Sequence, residues 1–301
     1  MANTLITPTV IAKTALATLY NATVFVPLVW RDFDAEYEGA QRDTVTIRKP
    51  ATFTANDFTS TITVQDATET STSVTLDTIS DVSFAVTAKE LSLNLEAFEE
   101  RLVAPAMEAL AQKVDGELAE ALVDAAETGG GGGSVTWSSS TASTVFTGEL
   151  GAVSKLGRNK IPVSDRHAVF SPEGAGVCLK DSLFVEADKS GSTDALRDAS
   201  LGRVFGFETY MSQALGSTNN DAGQADGIAF HRHAVALVTR PLAAPLGAEQ
   251  AAIAEYKGLG LRVVKSYDIS TKKDIVSVDL LYGIDTLRKE AAVQLSFGIG
   301  S

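Results

Sequence analysis

From Val45 to Val86 apolar residues recur at every second position: Val45/Ile47, Ile62/Val64, Val74/Leu76 and Val82/Phe84/Val86 alternate with Thr, Ser and Asp. A period of two fits strands, whose successive side chains point to opposite faces. Between Thr52 and Thr87, however, Thr and Ser crowd the chain and large side chains are few. These strands therefore lack material for a core of their own. A long exposed hairpin of this kind needs a partner, and the expected partner is another subunit.

The flanking segments carry a helical period. Thr7 followed by Pro8 is a helix start, because the hydroxyl caps free amides and proline's missing N–H costs nothing at the first position. Ile11, Ala15, Leu16 and Leu19 then fall on one face, and an apolar arm from Val24 to Trp30 follows, broken by Pro27. After the strands, one helical piece opens near Asn94 and runs through Leu95, Phe98 and Leu102; a second restarts at Pro105. In the second, Leu110, Val114, Leu118 and Leu122 recur every four residues, with Glu108, Lys113, Glu117 and Glu120 elsewhere. From Pro105 to Glu127 it would be roughly 35 Å long. The run Gly129 to Gly133 ends it, and Gly129 to Ser140 reads as a flexible surface segment and the clearest boundary in the chain.

Beyond that boundary short helices and strands alternate. The pattern predicts a helix over Thr147 to Asn159 and strands over Ala168 to Phe170, Phe207 to Met211 and Ile228 to Thr239. Ser217 to Gly227 reads as a polar loop. A C-terminal hairpin follows, Leu261 to Ile269 and Ile275 to Leu281 around a turn at Ser270 to Asp274, with Asp285 to Ser296 as a further strand. The fold class is α+β, with no internal repeat of solenoid length.

Composition narrows the function. With 301 residues, 45% hydrophobic and 21% charged, the chain is ordinary globular material able to bury a sizeable core. No stretch sustains the about 20 apolar residues of a membrane span, and Met1 to Trp30 does not fit a signal peptide. Cys178 is the single cysteine, so no intrachain disulfide forms, and assembly in a reducing cytoplasm fits. A net charge of −13 repels phosphate backbones, so tight nucleic-acid binding is not expected.

The reactive residues do not form a known constellation. The glycine run lacks the Lys and Ser/Thr of a phosphate loop and follows a helix instead of a strand. His231 and His233, two apart in a predicted strand, would share a face, but spacing nominates no third metal ligand and only His167 remains. Cys178 reads as a buried small hydrophobe, and adjacent carboxylates such as Glu99 and Glu100 as a solvated helix face. No catalytic, cofactor or metal residues are nominated, and the chain is not expected to be an enzyme.

The order of parts is the informative feature: apolar arm, Thr-rich hairpin, long helix, Gly-rich loop, α/β region, C-terminal hairpin. This order resembles the HK97-type capsid fold. Asn3-Thr4-Leu5-Ile6-Thr7-Pro8-Thr9-Val10-Ile11-Ala12-Lys13 and Asp43-Thr44-Val45-Thr46-Ile47-Arg48-Lys49-Pro50 resemble the P22-type coat protein family. So do Leu91-Ser92-Leu93-Asn94-Leu95 leading to Ala104-Pro105-Ala106, and Asp279-Leu280-Leu281-Tyr282-Gly283. The chain is too short for the extra inserted domain of some P22-type proteins, and no Lys lies between Lys49 and Lys89 for the hairpin crosslink of some HK97-type shells.

The resemblance implies a major capsid protein with an N-arm (1–40), an E-loop hairpin (41–90), a P-domain with spine helix (91–145), mainly an A-domain (146–258), and C-terminal strands returning to the P-domain (259–301). It implies a virion shell of hexamers and pentamers assembled in the host cytoplasm, enclosing double-stranded DNA without specific binding. No charged helical extension precedes the arm, so a separate scaffolding protein is implied, together with a portal. From the family plan the expected inter-subunit contacts are Ile62, Val64, Val74, Leu76, Phe58, Val26 and Trp30. An encapsulin-like compartment shell is the nearest alternative, a tail-tube or decoration protein the next.

Overall fold

In the computed structural model, residues 12–13, 15–16, 18–19, 23–31, 44–49, 55–57, 64, 70–87, 102–128, 135–136, 145–146, 151–181, 202–215, 226–245, 250–256, 259–271 and 273–296 are described. The long periodic stretch is a 25-residue helix, α1 (Ala104–Thr128), with Pro105 in its first turn, where the absent N–H is harmless. Its apolar stripe is wide: Met107, Leu110, Ala111, Val114, Leu118, Ala119, Leu122, Ala125 and Ala126 are all buried. Each large side chain sealed there contributes about 1.5–3 kcal/mol. Ala12, Ala15, Leu16 and Leu19, described as helical, also join this core, in line with their spacing.

The described strands form three sheets. The smallest pairs β1 (Thr44–Lys49) with β2 (Thr70–Thr75) as an antiparallel hairpin, Thr44 opposite Thr75 and Lys49 opposite Thr70. A five-stranded sheet holds β3 (Thr78–Thr87), β9 (Val235–Arg240), β10 (Gln250–Tyr256), β11 (Leu259–Asp268) and β12 (Lys273–Thr286), in the order β10-β11-β12-β3, with β9 also on β12. The six-stranded sheet runs β4 (Val135–Thr136), β13 (Ala292–Ser296), β8 (Gly227–His231), β5 (Arg166–Phe170), β7 (Phe207–Met211), β6 (Arg203–Val204). Helix α1 packs on β12, β3 and β9 of one sheet and on β13 and β8 of the other, so one core serves both.

Strand β12 organises the middle sheet because its 14 residues are long enough to serve three partners. Lys273 to Leu280 pair with β11, Leu281 to Thr286 continue along β9, and β3 lines the other side. Val276, Val278, Leu280 and Tyr282 point inward and are buried. Inside, the Tyr282 hydroxyl donates to Glu117 Oε2 at 2.6 Å and meets Ser80 Oγ at 3.0 Å, which ties β12 and β3 to α1. On the opposite face Arg262 Nε donates to Asp279 Oδ2 at 2.9 Å, and Ser277 Oγ donates to Asp279 Oδ1 at 2.8 Å.

Several sequence expectations need correction. Ile228 to Thr239 is not one strand: β8 ends at His231, a turn closes with the Ala234 N–H donating to His231 O at 2.8 Å, and β9 enters a different sheet. Asp285 to Ser296 likewise divides, into the end of β12, a one-turn helix Lys289–Ala291, and β13, which leaves its C-terminal neighbours for the six-stranded sheet. A short parallel pairing, β4 on β13, lies inside the segment read as flexible, whereas Gly129 to Gly133 fall outside the described residues. Helices α2 (Ala152–Arg158) and α3 (Pro172–Cys178) complete the described fold; α2 occupies the C-terminal part of the helix expected over Thr147 to Asn159. The helical piece expected from Asn94 lies outside the described residues up to Arg101.

Strand β3, grouped by sequence with the hairpin, pairs along β12 instead, from Thr87 opposite Lys273 to Thr78 opposite Tyr282. The hairpin itself is not coreless. Val45, Ile47, Val74 and Leu76 form a second buried cluster with Ala236, Val238 and Leu287, and Trp30 and Leu281 pack at its margin. The chain's own β9, far along the sequence, covers the apolar side of β1 and β2.

Candidate functional site

Reactive side chains are the first place to look for chemistry. Cys178 is fully buried at the end of α3, and burial, followed by the nearby Asp181 carboxylate, pushes its thiol up to about 12. It stays protonated and shielded at neutral pH, which removes the thiolate that nucleophilic chemistry needs. Native protein is accordingly expected to leave Cys178 unlabelled by a thiol-specific chromogenic reagent over an hour, with one thiol per chain appearing on denaturation; rapid labelling of native protein would contradict this burial.

The paired histidines do not share a strand face. His231 ends β8 and His233 lies in the following turn; the His233 backbone N–H donates to His231 Nδ1 at 3.1 Å, and the rings meet edge to face at 5.1 Å. Burial, then the neighbouring His233 charge, lowers His231 to about 4, so it is neutral at pH 7. Its Nδ1 is already an acceptor. Among the described residues no group of three His, Cys, Asp or Glu side chains is placed to hold a metal ion. His167 is lowered mainly by burial and lies 3.7 Å from Glu208 Oε2. No described helix is long and apolar enough to cross a membrane.

What the structure does build is a clasp between the N-terminal arm and the long helix. Asp115 sits on the buried side of α1, where its carboxylate accepts the Val24 N–H at 2.6 Å and the Phe25 N–H at 3.2 Å. Trp30 closes the other end: its N–H donates to Val235 O at 3.2 Å and its carbonyl accepts the Leu237 N–H at 3.1 Å, adding the arm as a parallel bridge beside β9. Between these anchors Phe25, Val26, Leu28 and Val29 are buried, and Phe25 stacks on Phe230 at 6.3 Å. Sequence reasoning missed Asp115. The available signal was a carboxylate flanked at helical spacing by Ala111, Leu118, Ala119 and Leu122.

The expected contact residues divide. Val26 is at 0% exposure in the main core, Val74 at 0% and Leu76 at 8% in the second cluster, and Trp30 is half-buried against that cluster. Those side chains are packed within their own chain, where an apolar group already sealed has little surface left for a neighbour. Val64 is 85% exposed. Phe58 and Ile62 lie outside the described residues. Further apolar side chains that sequence reasoning passed over are exposed on the five-stranded sheet and its β11–β12 turn: Ile79, Ile253, Tyr267, Ile269 and Ile275.

No family model and no curated protein matches the sequence. Solved structures do match its fold. A chain of Mycobacterium phage Che8 superposes with TM-score 0.66 at 22% identity, covering 93% of this chain and 92% of that one. The capsid of Cyanophage P-SCSP1u gives 0.61 at 14% identity, over 84% and 83%. The mature capsid of bacteriophage PhiM1 gives 0.61 at 15%, over 85% and 82%. A virus-like particle from Pyrococcus furiosus matches more loosely, with TM-score 0.50 at 13% identity, over 95% and 97%. The chain thus has the mixed α+β fold of these shell structures along nearly its whole length.

Proposed function

We propose that this chain is the major capsid protein of a tailed bacteriophage, a structural subunit that self-assembles into the icosahedral head shell around the genome. The observation that carries the reading is the match to the capsids of Cyanophage P-SCSP1u and bacteriophage PhiM1 over more than four fifths of each chain, beside the longer match to the Che8 chain. The looser match to the archaeal virus-like particle makes a compartment shell the weaker reading.

On this reading α1 is the spine helix of a P-domain, β1 and β2 are the base of the E-loop, residues 1–40 are the N-arm, and residues 146–258 are mainly the A-domain. The P22-type likeness of the first residues belongs to the same proposal. Function then lies in many weak interfaces between copies grouped as pentamers and hexamers, with a separate scaffolding protein and a portal as partners. The net charge of −13 supports holding packaged double-stranded DNA without adhering to it. The single buried Cys178 suits assembly in a host cytoplasm.

Purified chain, expressed with and without a scaffolding protein, is expected to form closed icosahedral shells in negative-stain electron microscopy. A stable monomer or small ring under every condition would overturn the proposal.

A further inference from the structure

Strand β10 is an edge of the five-stranded sheet: β11 pairs with it along its full length, and among the described residues no strand lies on its other side. Proteins that work alone blunt such edges with charged side chains, above all Lys, with Pro, with bulges or with very short strands, because a bare row of N–H and C=O groups recruits another chain. β10 has no Lys, Pro or bulge and a single charge, Glu255 near its end. Its seven residues read Gln-Ala-Ala-Ile-Ala-Glu-Tyr, its pairing with β11 is continuous from Gln250 to Tyr256, and Ile253 at its centre is 44% exposed.

We propose that β10 pairs antiparallel with β10 of a second copy across a two-fold axis at Ile253, joining the two five-stranded sheets into one. This deepens the shell reading by assigning one of its interfaces. The self-pairing register is Ile253 opposite Ile253, Ala252 opposite Ala254, Ala251 opposite Glu255, and Gln250 opposite Tyr256. No like charges face each other, and the two exposed isoleucines cover one another on the face that also carries Ile275, because Ile253 stands opposite Arg262, Arg262 opposite Asp279, and Asp279 and Ile275 share a side of β12.

Neighbouring registers are worse on the same arithmetic. An axis at Glu255 sets Glu against Glu, and an axis at Ala254 sets Ile253 against Glu255. A two-fold contact of this kind is isologous and closes on itself, so it joins subunits in pairs and does not propagate a fibre.

The test is a cysteine at the axis. Directly opposed residues in an antiparallel pair have Cα atoms about 4.5–5.5 Å apart, within the roughly 4.4–6.8 Å that a disulfide spans. Ile253→Cys protein, treated with oxidised glutathione as the oxidant, is expected to run as a covalent dimer on a non-reducing gel, with no higher ladder. Ala251→Cys serves as the control, since its own copy lies about 13 Å away along the strand. The buried Cys178 gives no background. Electron microscopy of the same samples reads the shell separately. Shells without the Ile253→Cys dimer overturn the edge pairing and leave the shell reading intact; a dimer without shells supports the pairing and counts against the shell. Equal dimer from both variants, a ladder beyond dimer, or neither shell nor dimer overturns the pairing. Ile253→Lys, which puts a charge at an exposed apolar position, is expected to cut shell yield at least tenfold while the subunit retains a native circular dichroism spectrum; full yield would also overturn it.

Discussion

Gly283→Ala is expected to destabilise the subunit by about 3 kcal/mol and to loosen the hairpin before the rest of the fold, because the new methyl group would meet backbone and not a yielding side chain. A Cβ at position 283 would run into the Thr75 carbonyl oxygen and lie 2.8 Å from its carbon and 3.3 Å from Leu76 Cα. Thr75 closes β2, so relief requires the hairpin base to lift from β12. Lifting it withdraws Val74 and Leu76 from the cluster they share with Ala236, Val238 and Leu287, so the steric cost is followed by a loss of apolar burial. Urea denaturation measures the stability, and limited trypsin digestion, with cleavage after Arg48 appearing early, locates the loosening. Gly157→Ala is the matched control: that glycine lies within α2 with nothing inside 4 Å of the added carbon, so the change is expected to be neutral or to stabilise by up to ~1 kcal/mol. A Gly283→Ala protein within about 0.5 kcal/mol of wild type would refute the close approach.

That hairpin also shows which parts of the fold were legible in the sequence. The period of two located β1 and β3 and the period near four located α1, because each depends on residues close together in the chain. Periodicity reports that a strand has an apolar side and is silent about what lies against it. Val74 and Leu76 read as surface for another subunit, and β9, which packs Ala236 and Val238 against them, comes some 160 residues later. The same limit hid the turn after His231. Ala229, Phe230, Ala234, Val235, Ala236 and Leu237 are all buried, so two strands of two sheets read as one apolar run.

Other omissions had visible signals. Ser171 before Pro172 repeats the cap-then-proline signature read at Thr7 and Pro8, and the structure uses it: Ser171 Oγ accepts the Gly174 N–H at 3.0 Å to start α3. Strand β10 escaped notice because its alanines give almost no hydrophobic contrast. Its edge is where the absence of Lys and Pro says more than the apolar pattern does.

Asp115 carries the clearest pH signature in the subunit. Burial raises its carboxyl to about 6 from an ordinary value of 3.8, against the opposing pull of the backbone N–H groups of Val24, Phe25 and Val26. The folded chain thus holds this proton more tightly than the unfolded chain, so the contribution of Asp115 is most favourable below about pH 4 and declines as pH rises toward 6. Across that window the shift corresponds to roughly 3 kcal/mol. Asp115→Asn cannot ionise and keeps one carbonyl acceptor, so its stability relative to wild type is expected to rise between pH 4.5 and pH 7.5. Asp115→Ala orphans the Val24 and Phe25 N–H groups, for an expected loss of about 2–4 kcal/mol at pH 5, where the wild-type carboxyl is mostly protonated. Denaturant titrations of unassembled subunits at the two pH values measure both effects, and taking differences between variants cancels the titration of every other group. If wild type and Asp115→Asn keep a constant gap across the window, the buried carboxyl is not the group that titrates there, and the arm is held to α1 by Phe25, Val26, Leu28 and Val29 alone.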